Sequence, residues 1–130
     1  MTDAMAILIE PDGEITTPDF AGLAEPGHLG GRLWYVRVLI DSAVPEGVAV
    51  PNSDNLVVWT DGHAHYHRRS VNVVGSVVVA DAFELPLQIV CGPVMITGGS
   101  AEEPRALTAT QLAKAFEFLG LEPVGTPVEG

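Results

Sequence analysis

The chain has 130 residues, 47% of them apolar, and carries 17 acidic against 6 basic side chains for a formal charge of -11. That length suits a single domain whose core needs no disulfide or metal staple, and the lone cysteine, Cys91, excludes an internal disulfide. Every apolar run is broken by Gly, Pro or a charge well short of the roughly 18 residues a membrane span requires, and the acidic balance disfavours direct contact with a phosphate backbone.

The first element is a strand over residues 4–10, apolar on both faces and therefore covered on both sides. Pro11-Asp12-Gly13 is a turn, and residues 14–17 return as a short partner strand ended by Pro18. Residues 18–32 hold one or two helical turns begun at Pro18-Asp19, then the loop Gly27-His28-Leu29-Gly30-Gly31. Leu33 to Ile40 reads as a second strand, with Trp34, Val36, Val38 and Ile40 alternating against Leu33, Tyr35, Arg37 and Leu39; Arg37 must then reach solvent or a carboxylate. Residues 41–54 form a loop with one short extended piece around Val48-Ala49-Val50.

Asp61-Gly62 lies between two β-favouring runs, 55–60 and 63–67, and predicts a tight hairpin. Its register would oppose Thr60 to His63, Trp59 to Ala64, Val58 to His65, Val57 to Tyr66 and Leu56 to His67. Trp59, Val57 and Tyr66 would then face the core. His63, His65 and His67 would share the outward face with Leu56, Val58 and Thr60.

Residues 71–82 fit strand by their β-branched content and helix by the spacing of Val71, Val74, Val78 and Ala82, and Gly75 weakens both. Residues 87–92 and 93–97 are extended pieces with a bend at Gly92-Pro93, and Gly98-Gly99-Ser100 ends the sheet. The last element is a helix with Thr108 as N-cap, Gln111 completing a capping box, and Leu112, Ala115, Phe116 and Leu119 as its buried stripe, closed by Gly120. A mobile tail follows from about residue 121. The expected fold is α+β: a mostly antiparallel sheet of about five to six strands with the C-terminal helix packed on one face, in a single domain spanning residues 1–130.

The turn Ile9-Glu10-Pro11-Asp12-Gly13, the segment Arg69-Ser70-Val71-Asn72 and the closing strand Cys91-Gly-Pro-Val-Met-Ile-Thr-Gly98 before an acidic helix resemble domain-of-unknown-function family 3846. These are small uncharacterised proteins of actinobacteria, phages and mobile elements. The resemblance covers roughly residues 5–119 and implies an accessory context with no catalytic residues. It also implies a helix after Asn72, although the family's segment is Ala-rich and this one is Val-rich. Arg outnumbers Lys five to one, in keeping with a GC-rich genome.

Chemistry concentrates in His63-Ala-His-Tyr-His-Arg-Arg69, which holds three of the four histidines. His63 and His65 alternate on a strand, so both can ligate one zinc ion; His67 lies about 13 Å from His63 at roughly 3.3 Å per residue, too far to share it. A third ligand would come from His28, Asp61 or Cys91. The same segment reads as an anion site in which His65, His67, Arg68 and Arg69, with Asn72 behind them, present paired donors that strengthen as imidazole protonates.

No serine sits in a Gly-x-Ser-x-Gly elbow, no phosphate-binding glycine loop is present, and Cys91 lies in an apolar run. Glu102-Glu103 reads as solvated loop charge. The residues favour a non-enzymatic acidic accessory or regulatory module in the cytoplasm, with no cofactor, engaging a host protein or a small anionic ligand. The alternatives are a zinc-dependent hydrolase using His63, His65 and His67, and a DNA-mimic inhibitor built on the dispersed carboxylates. With no positive segment ahead of an apolar stretch, no secretory leader is expected.

Overall fold

A computed structural model describes residues 6–18, 36–37, 39–40, 45–51, 55–62, 69–100, 102 and 104–119. Its fold is α+β, built on a six-stranded antiparallel sheet. The strands are β1 (Ile7–Ile9), β2 (Ile15–Thr16), β3 (Pro45–Ala49), β4 (Leu56–Asp61), β5 (Val94–Gly99) and β6 (Pro104–Arg105), and two helices are α1 (Val73–Phe83) and α2 (Ala109–Leu119). The order across the sheet is β2-β1-β5-β4-β3, with β6 also on β5. The edge that β4 fills runs as far as Gly98. β6, paired to Gly98 and Gly99, therefore continues the edge that β1 occupies.

β1 is buried along its whole length because both faces of the sheet are covered. On one face Ala6, Leu8, Val57, Trp59 and Met95 pack with Val36 and Ile40. On the other, Ile7, Ile9, Val58, Val94 and Ile96 pack with Val78 of α1 and with Leu112, Ala115 and Phe116 of α2. Each such fully buried aliphatic side chain contributes roughly 1.5–3 kcal/mol. The expected β1–β2 hairpin is present, with Leu8 opposite Thr16 and Ile9 opposite Ile15, closed by the Gly13 amide on the Glu10 carbonyl at 2.9 Å. Gly13 adopts φ +94, open to glycine without strain.

Two expectations are corrected, and a third is borne out. Val36, Arg37, Leu39 and Ile40 are helical, not strand. Val36 and Ile40, four residues apart, are both fully buried while Arg37 is exposed, which is one face of a helix. In a run with so few polar residues, periods of 2 and 3.6 both fit, and the open face over Leu8, Trp59 and Met95 decides for a helical cover. The extended piece around residue 48 proves to be β3, an edge strand with Pro45 at its first position, where no ladder donor is lost.

The second correction concerns β4. Val57, Val58 and Trp59 pair with Ala49, Val48 and Gly47 on one side and with Thr97, Ile96 and Met95 on the other. Both edges are taken, so the register opposing them to Ala64, His65 and Tyr66 does not form. The face expected to carry the histidines outward holds Val58, which is buried beneath the helices. Trp59 is buried as expected; its indole Nε1 donates to Thr97 Oγ1 at 2.9 Å. The ring lies across Gly47, where a Cβ would meet it at 2.7 Å.

The ambiguous segment 71–82 is helix α1, capped at Asn72 and ended at Glu84 in the left-handed conformation. α2 has the expected capping box: the Gln111 amide donates to Thr108 Oγ1 at 3.1 Å and the Thr108 amide to Gln111 Oε1 at 2.9 Å. The second extended piece is β5, longer than expected because Gly98 and Gly99 stay in the sheet and pair with β6. The first, before Gly92, pairs instead with the segment ahead of α1, through a single antiparallel bridge between Val71 and Cys91. Gly120 and the tail beyond it lie outside the described residues.

Candidate functional site

Of the predicted site residues, His63, His65, His67 and Arg68 lie outside the described residues, as does His28. The residues that frame them are described. β4 ends at Asp61, buried inside the sheet end, so Asp61 is a strand residue and not half of a two-residue turn. Arg69 Nε donates to Asp61 Oδ2 at 2.9 Å; the carboxylate is fully buried and the arginine side chain 21% exposed. The point where the chain leaves the sheet and the point where it returns are thus joined by one charge-assisted bond. Gly92 sits beneath the arginine stem, where a Cβ would lie 3.2 Å from Arg69 Cγ.

Asn72 is the second fixed point. It is fully buried, its Nδ2 donates to the carbonyls of Ile9 at 2.9 Å and Gly92 at 2.8 Å, and its Oδ1 accepts from the Gly75 amide at 2.7 Å. Its backbone amide donates to the Val90 carbonyl at 2.8 Å. One side chain thereby ties the end of β1, the entry to β5 and the start of α1. Ser76 repeats the tie one turn on: its Oγ donates to the Asn72 carbonyl at 2.7 Å and accepts from the Val90 amide at 2.8 Å. Of the residues expected at the ligand site, Asn72 faces inward, and the Arg69 guanidinium meets the Asp61 carboxylate with its side chain 21% exposed.

Beside this corner Glu10, Pro11, Asp12, Glu14 and Ser70 line an open cavity of about 400 Å³. Burial, then the neighbouring charges of Asp12 and Glu14, pushes the Glu10 carboxyl above its ordinary value. Three carboxylates and a hydroxyl attract cations and repel anions, so the frame opposes an anion approaching from the β1–β2 turn. A second cavity of about 400 Å³ lies at the other end of β5, among Asn55, Ser100, Arg105, Thr108 and Gln111. Arg105 lies in the two-residue β6, too short for any hydrophobic period to mark it in the sequence.

Among the described residues no group of three or more His, Cys, Asp and Glu is placed to hold a metal ion. Of the three suggested extra ligands, the Asp61 carboxylate accepts from Arg69, and Cys91 is a half-buried free thiol. Among the described residues no helix is long and apolar enough to cross a membrane. No family model, no curated protein and no solved structure matches the chain.

Proposed function

We propose that this protein is a non-enzymatic acidic accessory or regulatory binding module, of the kind carried by actinobacterial phages and mobile elements, that engages a host protein through the segment 63–68. The observation that carries this reading is the Asp61–Arg69 ion pair. It joins both ends of the one stretch rich in imidazole and guanidinium, and Asn72 anchors the returning chain to three elements. Recognition residues are commonly placed on connections held by a rigid scaffold, and the stretch 63–69 gathers three of the four histidines and two of the six Lys and Arg side chains.

The test compares wild type with a His65→Ala, His67→Ala, Arg68→Ala triple variant in pull-downs from an actinobacterial lysate and in calorimetric titrations with inorganic phosphate and with zinc. A protein retained by wild type and lost by the variant supports the reading. Equal capture by both overturns it. Phosphate binding lost in the variant replaces the host protein with a small anion, and stoichiometric zinc lost with His63→Ala replaces the module with a metal-dependent enzyme.

A further inference from the structure

After α1 the chain does not rejoin the sheet at once. The Leu85 amide closes the helix end on the Ala80 carbonyl at 2.9 Å, and the strap of residues 85–90 then runs back along α1 until Val90 meets Asn72 and Ser76. In this strap Leu85 is 50%, Leu87 68% and Ile89 76% exposed. Alternate residues of an extended chain share a face, so these three form one apolar row. Val73, 68% exposed, and Val77, 48% exposed, flank it from α1, and Val71, 48% exposed, from the bridge to Cys91.

Backbone direction along the strap follows the same alternation. The amide and carbonyl of Val90 both point at α1 and its cap, and the amide of Gly92 points at Ser70. Carried back from Val90 along the strap, the same alternation turns the groups of Ile89 and Leu87 away from α1, whereas the Leu85 amide still belongs to the helix end. The amides and carbonyls of Leu87 and Ile89 have no partner among the described residues. An extended segment with free backbone groups on its outer edge and an apolar row is a template for another strand.

We infer that this strap is a homodimer interface in which residues 86–90 of two copies pair antiparallel about Gln88. The partner is a second copy because the strap is complementary to itself. In the register that places Gln88 opposite Gln88, Leu87 of each copy faces Ile89 of the other. The outward groups of Leu87 and Ile89 then supply two donors and two acceptors per copy, each meeting its counterpart. Pro86, which has no N–H, falls at a position whose backbone points back toward its own helix.

Charge selects the same partner. Residues 70–80 and 85–101 contain no Asp, Glu, Lys or Arg in a chain of net charge -11, so this window is where two copies can meet without repulsion, with Asp81 and Glu84 left exposed at its margin. The six exposed side chains amount to roughly 600 Å² per copy, at the upper limit for a monomer's largest apolar patch and most of the ~800 Å² per partner in a stable interface. Pairing consumes the free edge of both straps, so the assembly closes at two copies. This inference is independent of the function proposed above and of the segment 63–68.

The experiment is analytical ultracentrifugation of the full chain at high micromolar concentration, with circular dichroism to confirm the fold. Wild type sediments as a dimer. Leu87→Lys with Ile89→Lys places like charges opposite one another and gives a folded monomer, whereas Leu87→Lys with Ile89→Glu places Lys opposite Glu and restores the dimer. In a Cys91→Ser background, Gln88→Cys crosslinks under mild oxidation, because a non-hydrogen-bonded antiparallel pair brings Cα atoms to about 4.5 Å, within disulfide range. A monomeric wild type, a dimer indifferent to the double lysine variant, or equal loss in both charge variants would overturn the interface.

Discussion

The two sides of helix α1 differ in how completely they are used. Its inner side is tightly tied: Asn72, Gly75, Ser76, Val78 and Ala82 are buried, and a Cβ on Gly75 would stand 2.6 Å from Val94 Cγ2. Its outer side, with Val73, Val77 and the strap, is apolar and open. A helix that is apolar on all sides is normally enclosed. Here one side is satisfied within the chain and the other is left for a second molecule, so composition that looks uniform along α1 serves folding on one side and association on the other.

Perturbing the inner side gives the largest effects. Asn72→Ala removes the cap and strands the carbonyls of Ile9 and Gly92, destabilising the fold by about 4 kcal/mol in urea titration. Asn72→Asp keeps the cap acceptor yet is no better than Ala, since the two carbonyls require donors. Arg69→Ala leaves the buried Asp61 without its ion pair, at a cost on the order of 3 kcal/mol by the same measurement. Gly75→Ala, which in an open helix would add roughly 1 kcal/mol of stability, instead costs about 2 kcal/mol by overpacking against Val94.

On the outer side the double lysine variant of the strap changes the unfolding of the isolated monomer by less than about 0.5 kcal/mol; a loss as large as that from Gly75→Ala would erase the distinction between the sides. Glu10→Gln is the smallest effect and has a defined sign. A carboxyl raised above its ordinary value of 4.5 favours the folded state when protonated, and that contribution is lost as pH rises through the raised value. Near neutral pH the ionised group is unfavourable, so Glu10→Gln raises Tm slightly, and the difference closes as pH falls below the ordinary carboxylate range.

Local grammar was readable wherever a few adjacent residues satisfy one another. The Thr108–Gln111 box and the Glu10–Gly13 turn form as their sequences predict, because their partners lie within four residues. The strand expected at 33–40 and the hairpin expected at 55–67 failed for a shared reason. Both rested on local β-preference, and both were decided by distant segments: the apolar sheet face that Val36 and Ile40 cover, and the flanks of β4 claimed by β3 and β5. In the sequence Asn72 is a polar residue beside Arg69, with nothing nearby to show that it is buried. Its partners lie 63 positions away at Ile9 and 20 away at Gly92, distances over which no spacing rule operates.

The amino-acid sequence by itself determined the α+β class, the acidic charge, the C-terminal helix with its cap and the concentration of imidazole and guanidinium at 63–69, since these depend on composition and short-range periodicity. Only the tertiary structure decided which strands lie beside β4, that Arg69 neutralises Asp61, that Asn72 ties three elements together, and that the strap after α1 keeps its apolar row in solvent. Those outcomes depend on which segments reach each free edge and buried polar group, a competition settled across the whole chain.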